Sequence, residues 1–249
     1  MNSTTDTPSS VRSGRSAPAD PAALWSPLAG LTDAAANIST GSDTVAITRG
    51  FDRHGRQRAK ALSELLGERG VAAVEVTPAP DSEQLLADTE VAAVVNLVGA
   101  GAWQPYRLAA KTRAPVLTPQ PTAGEPEGEV TRDVIGMSGT DAARDVALTR
   151  VAVLPENPEN ADEGSITITR DGEPLSIPGG QVAITLHEQR LHVHLQGPEF
   201  AAQDFSAREI TVETSGGPHR LVRDELPIAD FEGVLAFTSE PRGLTVRPI

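Results

Sequence analysis

Seven uncharged residues, Val91 to Leu97, run into Gly99-Ala100-Gly101, and this junction constrains the chain more than any other stretch. Small and β-branched residues without a charge read as a strand buried on both faces. Two glycines at its end permit a sharp turn into a helix and let a ligand approach bare backbone. Trp103, Tyr106 and Leu108 to Ala110 then fit a helix over Trp103 to Thr112. Pro115 closes that helix and opens a second apolar strand at Val116-Leu117. Strand, glycine turn, helix, strand is the unit of a parallel sheet, and the carboxyl edge of such a sheet is where nucleotides bind. The turn itself carries no carboxylate, no lysine and no Gly-Lys-Ser/Thr ending.

The stretch before it repeats the unit. Thr44 to Thr48 is β-prone and Gly50 follows where a strand turns. From Gln57 to Arg69, Ala61, Leu62, Leu65 and Leu66 share one helical face, with Gly70 placed to end the helix. Val71 to Val76 reads as a strand stopped by Pro78 and Pro80. Asp81 with Gln84 three residues on predicts a short helix over Ser82 to Ala87. The order β-α-β-α-β-α-β predicts an open parallel sheet.

Beyond Pro121 the pattern changes. Thr122 to Gly128 reads as a linker, and Ser138-Gly139-Thr140-Asp141 as a turn capping a short helix over Ala142 to Leu148. After Pro155-Glu156-Asn157-Pro158 the chain alternates in twos: Ile166, Ile168; Val182, Ile184, Leu186; Leu191, Val193, Leu195; Ile210, Val212; Leu221; Val234, Ala236; Leu244, Val246. That alternation predicts half-buried antiparallel strands, with a hairpin at Arg170-Asp171-Gly172-Glu173. The expected fold class is α/β: an N-terminal open parallel-sheet, Rossmann-like domain over residues 44–123, then an antiparallel all-β sandwich domain over 124–249. Residues 1–43, rich in Ser, Thr, Ala, Pro and Asp, read as a disordered tail. Within it the apolar island Pro21 to Trp25 and Leu28 to Leu31 reads as a short helix docking on the body, or as a partner-recruiting motif.

Charge and composition narrow the partners. A net charge of −13 repels nucleic acid and anionic membranes unless a local basic patch compensates. No run reaches the length of a membrane span, which predicts a cytoplasmic protein. The absence of cysteine excludes disulfides, thiolate catalysis and sulfur-ligated zinc.

Several residues invite a chemical reading beside a plainer one. The amides of Gly99 and Gly101 could cradle a phosphate, or the glycines merely permit the turn. Asp52, Arg53, His54 and Arg56 follow the first strand as an anion site or a solvated loop. His192 and His194 share one face of a strand near His187-Glu188, as two metal ligands would. No third ligand is identifiable, so no metal site is assigned. Asp171, Asp224 and Glu225 are weak catalytic candidates as a carboxylate cluster, and equally ordinary turn residues.

The layout resembles the diacylglycerol kinase and NAD kinase superfamily over Thr44 to Ile249. Supporting matches are Ile166 to Glu173 (ITITRDGE), Phe205 to Glu225 with Asp224-Glu225 in place of Asp-Gly-Glu, and a Pro-x-x-Leu-x-Val-x-Pro ending over Pro241 to Pro248. In that family the turn reads Gly-Gly-Asp-Gly-Thr; here it reads Val98-Gly99-Ala100-Gly101-Ala102. The resemblance implies nucleotide binding by Gly99, Ala100, Gly101, Ala102, Arg53 and Thr118. It also implies a lost reaction. Ala100 replaces the aspartate, and Leu117-Thr118-Pro119-Gln120-Pro121-Thr122 lacks the Gly-Thr-x-Asn that follows the next strand. Phosphoryl transfer needs magnesium held against phosphate and a carboxylate that positions the nucleophile. The expectation is a catalytically degenerate, pseudokinase-like protein that binds a nucleotide, a lipid headgroup or a protein. Magnesium and ATP are cofactors only of an active variant. The alternatives are an active ATP-dependent lipid or NAD kinase with a variant metal site, and a non-enzymatic scaffold that recruits its partner through the tail at Trp25. A homodimer is compatible with all three.

Overall fold

The computed structural model describes residues 21–41, 43–86, 88–99, 101–119, 128–139, 144–156 and 164–249. In chain order the elements are α1 (Pro21–Ile38), β1 (Thr44–Thr48), α2 (Arg53–Glu68), β2 (Ala72–Val76), a 3-10 helix (Pro80–Leu86), β3 (Val91–Asn96), α3 (Trp103–Thr112) and β4 (Val116–Thr118). Ten strands follow: β5 (Val130–Gly139), β6 (Asp145–Ala147), β7 (Arg150–Pro155), β8 (Ser165–Arg170), β9 (Glu173–Pro178), β10 (Gln181–His187), β11 (Arg190–Gln196), β12 (Gln203–Ala207), β13 (Glu209–Arg223) and β14 (Leu226–Pro248).

The first four strands form the expected parallel unit, in the order β4-β3-β1-β2. β1 and β3 are its buried centre: Val45, Ala46, Ile47, Ala93, Val94 and Val95 are all fully buried, because helices cover both faces. On one face α1 and α2 bring Leu28, Leu31, Ala35, Leu62 and Leu66 against Val45, Ile47 and Val95. On the other, α3 brings Leu108 and Ala109 against Ala46, Val94 and Val116.

Three expectations are corrected. Part of the stretch assigned to a disordered tail is helix α1, which docks through Leu28 and Leu31 of the apolar island; residues 1–20 and the side chains of residues 21–27 lie outside the described residues. α2 begins four residues before Gln57, because Asp52 supplies the N-cap. Asp145–Ala147 is a strand, not part of a helix, and Ser138-Gly139 ends β5 instead of forming a turn. Pairing explains this: Ile135 lies opposite Ala147 in an antiparallel ladder that buries Val146 and Ala147, more apolar area than an isolated turn of helix would bury. The rest of 140–143, like the linker residues 122–127, lies outside the described residues.

The C-terminal half is antiparallel, but it is not separate from the parallel strands. The last residues of β14 pair in parallel with β4, Val246 opposite Val116 and Pro248 opposite Thr118. Fourteen strands among the described residues thus share one mixed sheet. That sheet folds over on itself because β13 and β14 are long and bent. The first part of β13 pairs with β8, and the last part, beyond Gly216-Gly217, pairs with β7. Gly216 and Gly217 have φ of 79° and 146°, and the register shifts there, so the glycines bend the strand and do not end it. β10 approaches β5 and β11 approaches β14 around a core of Ile166, Ile168, Ile184, Val193, Val212 and Phe237.

Candidate functional site

Parallel pairing carries the carboxyl ends of β1, β3 and β4 to one edge. Thr48 lies opposite Asn96, Val95 opposite Leu117, and the chain leaves at Gly50-Phe51, Val98-Gly99 and Thr118. The structure therefore brings Arg53, Gly99, Gly101, Ala102 and Thr118 to the same edge; Ala100 lies outside the described residues. Gly99 and Gly101 adopt φ of 109° and 85°, which side chains disfavour.

The turn is closed by a residue that the sequence reading passed over. Asn96 is 2% exposed, and its Oδ1 accepts from Val98 N at 3.0 Å and Gly99 N at 3.2 Å. Its Nδ2 donates to Gly99 O at 3.4 Å. Of the two glycine amides expected to face a ligand phosphate, that of Gly99 instead faces a side-chain carbonyl. The signal was present: an asparagine ending an apolar strand three residues before Gly99 is a turn former. Thr118 is also engaged, since its carbonyl accepts from Ile249 N at 2.9 Å. Asp52 is the N-cap of α2, its carboxylate accepting from Gly55 N at 2.7 Å. That hydrogen bond holds its pKa below the ordinary 3.8.

The carboxylate candidates do not meet. Asp171 sits in the β8–β9 turn beside the first residues of β13, whereas Asp224 and Glu225 follow its last residue. Asp224 is 2% exposed and saturated: it accepts from Leu148 N at 3.0 Å, Thr149 N at 2.9 Å, Thr149 Oγ1 at 3.2 Å and Arg150 N at 3.3 Å. A carboxylate so bound supports a loop and has little left to offer a metal. Glu225 is exposed and pairs with Arg150, and Asp171 is exposed beside Arg170. His192 and His194 do share a face of β11. Their Nδ1 atoms contact Ser206 Oγ at 3.3 Å and Asp204 Oδ1 at 2.8 Å, and no group of three metal-ligating side chains forms among the described residues.

A different cluster lies between α3 and the β13–β14 turn. Gln104 and Arg107 occupy adjacent turns of α3. Gln104 Nε2 donates to Thr77 O at 2.7 Å, which leaves its Oε1 buried without a partner. Arg107 Nη1 and Arg223 Nε are likewise buried and unpartnered among the described residues. Burial pushes the pKa of Arg223 down; the paired Asp145 carboxylate opposes that shift and nearby Arg107 adds to it. Glu83 of the 3-10 helix stands 3.7 Å from Lys111 Nζ and faces the same region. Buried guanidinium nitrogens without acceptors are unfavourable by about 1 to 3 kcal/mol each. An oxyanion between Arg107 and Arg223 would satisfy both.

No family model and no curated protein matches the sequence. Among solved structures the chain is similar to an NAD kinase from Archaeoglobus fulgidus in complex with ATP, at 15% identity over 82% of this chain and 93% of that one, with a TM-score of 0.46. It is also similar to 2,5-dihydroxypyridine dioxygenase from Pseudomonas putida KT2440, at 10% identity over 88% of this chain and 92% of that one, with a TM-score of 0.28. No helix among the described residues is long and apolar enough to cross a membrane.

Proposed function

We propose that this chain is a catalytically degenerate relative of the diacylglycerol and NAD kinases, which binds an anionic ligand without transferring phosphate. The ligand class is a nucleotide or a phosphorylated headgroup, met by the unpartnered nitrogens of Arg107 and Arg223 with Gln104 Oε1 accepting from a ligand donor. The observation that carries this reading is the closed turn after β3. Asn96 occupies the amides of Val98 and Gly99, and Ala100 supplies no carboxylate. A turn in that state neither wraps a triphosphate nor positions magnesium.

The active-kinase alternative requires Asp171, Asp224 and Glu225 to share a metal, and the saturation of Asp224 argues against it. Two measurements on the full chain test the proposal. Thermal shift and titration calorimetry with ATP, ADP, NAD and glycerol phosphate, with and without magnesium, are expected to find a ligand whose binding Arg107→Gln abolishes. Incubation with magnesium and labelled ATP is expected to leave NAD, diacylglycerol and a sphingoid base unlabelled. Turnover at ordinary kinase rates would overturn the degenerate reading, and no binding of any anion would overturn the site.

A further inference from the structure

Three of the seven exposed large apolar side chains among the described residues emerge together at the carboxyl edge of the parallel strands. Phe51 is 64% exposed, Trp103 43% and Val98 37%. Phe51 follows β1 and Val98 follows its neighbour β3, while Trp103 opens α3. At that exposure Phe51 projects from the surface and does not line a pocket. Clustered apolar side chains on a projecting edge mark a surface that meets another surface.

The same edge is basic in an acidic protein. Five of the 21 lysines and arginines fall between Arg49 and Lys60, against one acid, Asp52. Arg49 pairs with Glu75 and Lys60 with Glu64, but Arg53 and Arg56 have no carboxylate within ion-pair distance among the described residues. Arg53, His54 and Arg56 are all exposed in the first turn of α2. Cations there oppose the helix dipole, whose amino end is already positive, so their placement works against the isolated fold. It becomes favourable when a negative surface faces the edge.

We propose that this edge docks on an anionic lipid bilayer, with Phe51, Val98 and Trp103 entering the headgroup region and Arg53 and Arg56 against lipid phosphates. Aromatic side chains favour that interfacial depth, and arginines beside an anionic leaflet supply the attraction. The chain's overall negative charge restricts the attraction to this edge and so fixes the orientation. Docking here does not depend on the cluster of Arg107 and Arg223.

The test is co-sedimentation of the full chain with phosphatidylcholine vesicles, with and without phosphatidylserine. Binding is expected to the mixed vesicles, to weaken with salt, and to be slight on phosphatidylcholine alone. Arg53→Ala with Arg56→Ala should lower the affinity about 25-fold, from roughly fivefold per charge. Phe51→Ala with Trp103→Ala should also reduce binding, and the residue should depend more steeply on salt. In a Trp25→Phe background, Trp103 emission is expected to shift to the blue on mixed vesicles. The melting temperature of each variant shows whether it folds. Equal binding to both vesicle types, or undiminished binding by the folded double-arginine variant, would overturn the proposal. So would protection of Arg53 and Arg56 by inorganic phosphate without vesicle binding, which assigns the edge to a soluble anion.

Discussion

Arg144 and Glu240 join the two halves of the molecule. Arg144 Nη2 stands 2.5 Å from Glu240 Oε2 on β14, while its Nη1 donates to the carbonyls of Ala110 and Lys111 at 2.9 and 2.8 Å. Those carbonyls end α3, so one guanidinium caps the helix, complements the negative end of its dipole, and ties it to the β half. Glu240 reaches this position by lying across Gly136 of β5; a Cβ there would collide with its carboxylate and approach Thr238 Oγ1 to 2.8 Å.

Arg144→Ala is expected to destabilise the protein by about 1 to 3 kcal/mol, since a charge-assisted pair and two carbonyl bonds are lost from a partly buried site. Gly136→Ala should act in the same direction by displacing Glu240. Urea unfolding of the single and double variants checks the mechanism: the two losses should fall short of adding, because both remove one interaction.

Asp224→Asn is expected to lower stability by about 2 to 4 kcal/mol, because an amide nitrogen would face the donors that now converge on the carboxylate. Ligand binding by the folded variant should be unchanged. Loss of an ATP-dependent activity without loss of stability would instead place Asp224 in a metal site.

Leu31→Ala in α1 should cost about 2 to 5 kcal/mol, as expected for a fully buried leucine between α1 and the sheet. A change near zero in the denaturation midpoint would mean that the helix does not dock.

Glu188 and Gln189 form the two-residue β10–β11 turn with φ of 48° and 62°, a conformation that suits Asn-Gly. Glu188→Asn with Gln189→Gly is expected to raise stability by about 0.5 to 1 kcal/mol, read as a higher melting temperature.

Asp52 sets a pH dependence. Its pKa is lowered in the folded state, chiefly by the Gly55 amide, so its contribution to stability is complete above the ordinary 3.8 and is lost as pH falls through the lowered value. Melting curves of Asp52→Asn should be flatter than those of the parent across that acid range and should converge with them at its lower end.

Three hairpins show how far local sequence reaches. Asp171-Gly172, with φ of 53° and 82°, was legible because Asp-Gly tolerates that backbone. Glu188-Gln189 takes similar dihedrals without a turn residue and Asp224-Glu225 without a glycine, held by the ladders on either side and, at Asp224, by the Leu148 to Arg150 amides. The Pro-x-x-Leu-x-Val-x-Pro ending carried the alternation of a strand, but nothing in it shows that Val246 pairs with Val116, 130 residues earlier. The candidate site divides the same way. The glycine turn, its edge and the missing carboxylate were readable. The bonding of Asn96 to the Val98 and Gly99 amides, and the unpartnered buried nitrogens of Arg107 and Arg223, were not.

By itself the sequence determined the parallel unit, because buried strands and amphipathic helices repeat within short distances and each period is set by local geometry. It also determined the alternation of the second half and the lack of a carboxylate in the turn at Gly99-Ala100-Gly101. Only the tertiary structure decided that β13 bends through Gly216 and Gly217, that β14 returns to the parallel strands, and that Asp171 and Asp224 stand apart. Those outcomes depend on contacts between distant residues, where burial and hydrogen-bond satisfaction outweigh what any short window prefers.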